Sequence, residues 1–188
     1  MTKLSRRAFA KGALGAAAAM ALPGRAWPEA KPTLVAAPSM ARLAPADYPE
    51  TAVWSFGGSV PGPFIRAPQG GRVTRRFVNR LPQPATVHWH GIRINNAMDG
   101  VPDLTQSAVA ESAEFLYAFT VPDAGTYWYH PHNRSWEQMA RGLYGALIVD
   151  ESEGAPEVDI DEVLLLDDWR LTDDAQIAGG FGNMHDWA

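Results

Sequence analysis

The chain has 188 residues, with 16 Lys and Arg against 21 Asp and Glu, and it contains no cysteine. The absence of cysteine excludes disulfides, thiolate zinc and iron–sulfur sites, a cysteine nucleophile and a complete blue-copper site. Residues 1–26 carry five basic side chains and no acidic one, so the remainder is strongly acidic. That balance argues against a nucleic-acid partner, because such binding depends on Lys and Arg that neutralise phosphates.

The N-terminus has the features of an export signal. Arg6 and Arg7 form a twin-arginine pair, and residues 12–22 are a short apolar stretch, too short to span a bilayer. Gly24 and Ala26 are small residues of the kind that a signal peptidase prefers. We therefore expect residues 1–26 to be a twin-arginine signal peptide, and the mature protein to be periplasmic or secreted without a stable membrane span.

The rest of the chain predicts short strands separated by Gly and Pro. Alternation is clearest in residues 114–121, where every second side chain is apolar. Residues 133–141 predict a short helix or a loop. Repeated short strands favour an all-β fold, an antiparallel sandwich or barrel. The predicted strands lie at residues 33–35, 53–56, 72–81, 86–94, 114–121, 126–132 and 146–149, and residues 60–65 predict a turn into an edge strand.

The C-terminal part predicts the start of a second unit. Residues 27–150 contain the strands of one domain, and residues 151–161 form an acidic linker. Residues 163–166 are apolar on both faces, as in a strand that is covered on both sides. Because little chain follows to cover them, we interpret residues 151–188 as a linker and the first strand of a truncated second domain.

Two His-x-His pairs are the candidate chemical site. His88 and His90 belong to one predicted strand, and His130 and His132 to another. Because successive side chains of a strand point to opposite faces, each pair shares one face. Imidazole binds copper, zinc, iron and nickel, so the spacing indicates a metal without choosing the element. One such pair is more often structural, but two pairs beside turn glycines favour metal.

A cupin also carries a His-x-His strand, but two features disfavour that interpretation. No Glu follows at Arg93, Ile94 or Asn95, where the cupin metal site expects one. In addition, the second cupin motif has one histidine, whereas this chain has His130 and His132.

The motifs together resemble the first domain of multicopper oxidases, a group that includes laccases, bilirubin oxidases and bacterial cuprous oxidases. The resemblance covers about residues 53–150 and implies a cupredoxin-like Greek-key β-sandwich for residues 27–150. The motifs that carry it, in chain order, are Val60-Pro61-Gly62-Pro63, His88-Trp89-His90-Gly91, Met98-Asp99-Gly100-Val101-Pro102, Thr105-Gln106, Gly125-Thr126-Tyr127-Trp128-Tyr129-His130-Pro131-His132 and Gly142-Leu143-Tyr144-Gly145-Ala146-Leu147-Ile148-Val149.

The resemblance implies copper as the cofactor and assigns each histidine a role. His88 would bind the type 2 copper, His90 and His130 one copper of the type 3 pair, and His132 the other. Asp99 stands at the position of a carboxylate that helps to relay protons to oxygen. The family completes this cluster with four further histidines and a type 1 copper site from another domain, and neither motif is present in this chain.

The implied function is the copper-binding part of an oxidase that reduces O2 to water while a phenol or metal ion is oxidised. A second chain or domain would have to supply the missing histidines and the type 1 site, so we expect the chain to be inactive alone. The alternative is an exported, stand-alone copper-binding or storage module without oxidase activity.

Overall fold

The computed structural model describes residues 32–154 and 157–181. The signal predicted at residues 1–26 and the isolated His185 lie outside the described residues. One short α-helix, α1 (Ser135–Gln138), and a single 3-10 turn (Asn96–Met98) accompany the strands of the described part. Those strands are β1 (Thr33–Ala41), β2 (Thr51–Phe56), β3 (Ile65–Pro68), β4 (Arg72–Asn79), β5 (His88–His90), β6 (Glu114–Thr120), β7 (Gly125–His130) and β8 (Gly145–Asp150).

The strands form two four-stranded sheets that pack face to face. One sheet has the order β2-β1-β4-β6, and the other has the order β3-β8-β7-β5. β1 runs parallel to β4 and β3 runs parallel to β8, whereas the other neighbours are antiparallel. The predicted all-β sandwich is therefore confirmed. β3 is an edge strand, as the prolines before it indicate, but it begins only at Ile65, so residues 60–64 lead into it.

Aromatic side chains from both sheets fill the space between them. The ring centroids of Trp89 and Phe119 are 4.9 Å apart, and those of Phe56 and Tyr129 are 5.4 Å apart. Both contacts join one sheet to the other, and all four side chains are buried. Burial of a large apolar side chain contributes about 1.5–3 kcal/mol, so these contacts hold the two sheets together.

The two strands with the strongest sequence patterns form as predicted. In β6 and the residue after it, Tyr117, Phe119 and Val121 are buried on one face. In β8 every residue before Asp150 is buried, as a closing strand inside the sandwich requires.

β5 is much shorter than the predicted strand at residues 86–94. The strand ends at His90 because Gly91 adopts a φ of 82°, which leaves the extended conformation. Thr86 and Ile92 are buried, while His90 is exposed, so the predicted common face does not extend beyond the two histidines. β7 likewise ends at His130, because Pro131 has no amide hydrogen for the ladder.

The prediction of a strand at residues 163–166 is wrong within the described part of the chain. Those residues have irregular backbone, and Leu164 and Leu166 are 83% and 97% exposed. A strand needs a neighbouring backbone to accept its hydrogen bonds, and no described strand pairs with this segment. The apolar sequence pattern alone was not enough to form a ladder.

The segment at residues 171–178 covers the free edge of β2. The backbone amide of Ala52 donates to Oε1 of Gln176 at 3.0 Å, and Thr51 Oγ1 donates to the carbonyl of Ala175 at 2.7 Å. The amide of Trp54 donates to the carbonyl of Arg141 at 2.8 Å. The outward amides of Ala52 and Trp54 thus have partners within the described chain.

Among the described residues, no helix is both long enough and apolar enough to cross a bilayer, and α1 has only four residues.

We predict that Gly145→Ala destabilises the fold. A Cβ at this position would lie 2.4 Å from the ring of Tyr129, which is fully buried and donates its hydroxyl to the carbonyl of Pro63. Overpacking of this kind costs about 1–3 kcal/mol, which chemical denaturation would measure. Gly179→Ala is the control, because its Cβ meets open space. Equal stability of the two variants would contradict the prediction.

Candidate metal centre

The histidines occupy neighbouring strands whose register is fixed by the core. His88 lies opposite His130 and Trp89 lies opposite Tyr129 in the antiparallel β5–β7 pair. Trp89 and Tyr129 are fully buried between the sheets. Because side chains alternate along a strand, the neighbouring histidines point to the outer face of the sheet.

The four imidazole rings converge as the sequence predicts. The ring centroid of His88 lies 5.5, 5.4 and 5.2 Å from those of His90, His130 and His132. His132 reaches the cluster although it follows the end of β7. Its backbone amide donates to Oγ1 of the buried Thr86 at 3.2 Å, which fixes the turn after Pro131.

Three of the four rings form a tighter group. His88, His90 and His130 each offer a ligand nitrogen within 4.8 Å of the others. Nδ1 of His90 and Nε2 of His130 are 3.1 Å apart. Metal–imidazole bonds are about 2 Å long, so two nitrogens at this separation fit one metal ion. His132 lies outside this trio, and its ring is nearer to His88 than to His130.

Backbone carbonyls fix which nitrogen two of the rings can offer. Nδ1 of His88 lies 2.7 Å from the carbonyl oxygen of Asp99, and Nδ1 of His130 lies 2.8 Å from that of Pro131. A carbonyl oxygen can only accept, so both Nδ1 atoms carry the hydrogen. Each ring therefore has its lone pair on Nε2, in the arrangement typical of histidine ligands.

His130 is the most deeply buried of the four rings, with 6% of its surface exposed. Burial is the main cause that lowers its pKa to about 4; the neighbouring imidazoles contribute to the shift, and the hydrogen bond to Pro131 opposes it. The ring is therefore neutral at physiological pH. A neutral imidazole is the form that binds metal, so the donor set fits a metal ion.

Asp99 lies beside His88, on the side away from the available Nε2. Its Oδ1 is 3.3 Å from Nδ1 of His88, and the side chain is partly exposed. Gly100 makes this approach possible, because a Cβ there would lie 1.9 Å from the carbonyl oxygen of Val87. Asp99 can orient the His88 ring through its backbone and its carboxylate, while its role in proton relay stays a prediction.

Sequence reasoning missed two contacts that support the cluster. Thr86 holds the turn of His132 through its hydroxyl, and the sequence around it carries no pattern that predicts this contact. Gln138 in α1 is buried and donates to the carbonyl of Pro84 at 2.9 Å. This second contact holds Pro84, which precedes β5, against α1, which follows β7. No local sequence pattern predicts it.

Comparisons with known proteins agree with this geometry. A family model described as "Multicopper oxidase" matches residues 39–154. The chain is 38% identical to the multicopper oxidase MmcO of Mycobacterium tuberculosis, over 85% of this chain and 31% of the relative. It is 40% identical to copper resistance protein A of Escherichia coli, over 61% of this chain and 19% of that protein.

Solved structures show the same similarity. The crystal structure of Lac15 from a marine microbial metagenome shares 51% identity with a TM-score of 0.75, covering 79% of this chain and 39% of that chain. A multi-copper oxidase from Pseudomonas Thermotolerans shares 45% identity with a TM-score of 0.62, covering 65% and 29%. The described sandwich is thus cupredoxin-like. The chain spans about a third or less of the length of the curated relatives.

We predict that His130 makes the metal-free protein less stable in acid. Its pKa is about 4 when folded and has the ordinary value of 6.5 when unfolded. Its full contribution is present above pH 6.5. As the pH falls from 6.5 towards 4, the unfolded chain takes up a proton that the folded chain does not, so stability is lost, by at most about 3 kcal/mol.

Denaturation at several pH values, with a chelator present, would measure this loss against His130→Gln, which lacks the titrating ring. The difference in unfolding free energy between wild type and variant should shrink on acidification. Parallel pH profiles of the two proteins would contradict the assignment.

Proposed function

Because the chain belongs to the multicopper oxidase family, we propose that its histidine cluster is part of the copper site at which a complete oxidase reduces O2 to water. The chain is a copper-binding portion of such an oxidase. The observation that carries the proposal is the convergence of His88, His90 and His130, with ligand nitrogens within 4.8 Å of one another. Bound copper would supply the one-electron changes that join oxidation of a reductant to reduction of O2.

The four histidines divide between copper ions in this proposal. The 3.1 Å separation between His90 Nδ1 and His130 Nε2 supports placing both on one type 3 copper. His88 would hold the type 2 copper through Nε2, since its Nδ1 is engaged by Asp99. His132 would serve the second type 3 copper, which is consistent with its position outside the trio.

Asp99 would act through its carboxylate. Oδ1 lies 3.3 Å from Nδ1 of His88 and remains partly exposed to solvent. It can therefore hold a proton at the edge of the cluster while the backbone carbonyl of the same residue keeps the ring in place. This supports the proton-relay role that the resemblance implies.

Further ligands would have to come from another domain or chain. His90 and His132 are exposed, so the outer side of the cluster is open to further donors. The chain also spans only about a third or less of its curated relatives. We propose that residues 27–150 form the first cupredoxin domain and that residues 151–188 lead into a second one.

The predicted signal at residues 1–26 supports export by the twin-arginine pathway to the periplasm or the cell exterior. That pathway carries folded proteins, which suits a domain that binds its metal before export. Family membership favours part of an oxidase over a stand-alone storage module, because the relatives include multicopper oxidases and an L-ascorbate oxidase.

We predict that the purified mature chain retains Cu(II) through the four clustered histidines. Changing His88, His90, His130 and His132 together to Ala should abolish specific retention in equilibrium dialysis, because the neutral imidazole donors are lost. His185→Ala is the matched control, since it removes a histidine that belongs to neither His-x-His pair and should retain as much copper as wild type. Equal retention by the quadruple variant would refute the proposed site.

We also predict that this 188-residue chain does not oxidise phenolic dyes, even when it is loaded with copper. It contains no cysteine, so it lacks the thiolate of a type 1 copper site that would accept electrons from a reductant. Oxygen consumption with a phenolic substrate would test this, with a complete laccase as positive control. Turnover at laccase-like rates would contradict the need for a separate type 1 site.

A further inference from the structure

The indole of Trp128 lies against both imidazoles of the close pair. Its ring centroid is 4.1 Å from that of His130 with an angle of 29° between the planes, and 4.9 Å from that of His90 with an angle of 33°. This follows from the register, because Trp128 lies opposite His90 across the ladder and two residues before His130 on the same face of β7. One indole therefore flanks the two rings whose nitrogens are 3.1 Å apart.

His90 needs such a contact more than the other rings do. His88 and His130 are held by hydrogen bonds from Nδ1 to backbone carbonyls. His90 instead directs Nδ1 at His130, which is the hydrogen bond described for its ring, and the side chain is exposed. The χ2 angle of histidine is broad and roughly two-fold, so an unsupported ring would also turn Nδ1 away from His130.

We propose that Trp128 is a positioning residue that holds the imidazole planes of His90 and His130 so that Nδ1 of one and Nε2 of the other face the same copper ion. This inference rests on the proposed function of the pair. The indole acts by packing against the two rings, and it offers no lone pair to a metal because its Nε1–H is only a donor. Replacement by another planar ring should keep this effect, and replacement by a flexible apolar chain should remove it.

If Trp128 only stabilised the fold, loss of its ring would disturb the sandwich as much as the histidine pair. Trp128 is half-buried on the outer face of its sheet and lines an open cavity of about 860 Å³ with Met139 and Tyr144. The core position of the same sheet is filled by Trp89, which is fully buried. Loss of the Trp128 ring should therefore disturb the histidine pair more than it disturbs the sandwich.

The test compares Trp128→Phe, Trp128→Met and Trp128→Leu with wild type, using Cu(II) as the probe. Competition with a chelator gives the Kd, electron paramagnetic resonance gives the copper coordination, and circular dichroism gives folding. Trp136→Leu is the matched control, because Trp136 lines the same cavity, is 52% exposed and has no described ring contact with a histidine.

We expect Trp128→Met and Trp128→Leu to weaken Cu(II) binding about 10–100-fold, the usual effect of losing a contact that orients a ligand, and to change the resonance spectrum. Trp128→Phe and Trp136→Leu should stay close to wild type in both measurements. Wild-type affinity and spectrum in folded Trp128→Leu, or an equal loss in Trp136→Leu, would overturn the inference. Failure of the proposed function is distinguishable, because wild type would then bind no more copper than the quadruple histidine variant.

A second measurement needs no substitution. In metal-free wild type, nitrogen chemical shifts from NMR should show one fixed tautomer for His90, and cross-relaxation should connect the Trp128 indole with both imidazoles. Averaged shifts for His90, as expected for a freely turning ring, would overturn the inference even if the Trp128 variants did not fold.

Discussion

The site depends on the pairing of Trp89 with Tyr129 inside the sandwich. These two side chains are opposite each other across β5 and β7, and both are fully buried. A one-residue slip of either strand would exchange its buried and outer faces, which would carry an imidazole into the core and an aromatic ring out of it. The free energy of burial therefore fixes the register, and the register places His88 opposite His130.

The backbone, more than side chains, completes the geometry around the histidines. The carbonyls of Asp99 and Pro131 determine the tautomers of His88 and His130, and no side-chain substitution removes those groups directly. Gly100 contributes through the absence of a Cβ, which lets the Asp99 loop come close to Val87. His90 lacks a carbonyl partner among the described contacts, and its ring packs instead against the indole of Trp128 at an angle of 33°.

The sequence patterns predicted the elements whose periodicity reports on a local environment. Residues 114–121 alternate cleanly because one face is buried, and residues 146–149 are continuously apolar because both faces are covered. The two His-x-His pairs predicted convergent rings because the period of a strand is local information. The resemblance to a known family then supplied the element, copper, which the spacing alone could not choose.

The patterns failed where a distant partner decides the outcome. Residues 163–166 are as apolar as β8, but no described strand pairs with them, so the same pattern gave irregular backbone. β5 ended at His90 although alternation continued to Ile94, because Gly91 leaves the extended conformation. The contact of Thr86 with the turn after Pro131 joins residues far apart in the chain, and periodicity carries no information about it.

The covering of β2 by the segment at residues 171–178 has a consequence for how copies of this protein meet. An uncovered edge strand is a template on which a second molecule can add its own strand, which is a common start of aggregation. Here the outward amides of Ala52 and Trp54 are already occupied by Gln176 and Arg141. At these two positions the edge of β2 is therefore closed, and an incoming strand would first have to displace the contacts with Gln176 and Arg141.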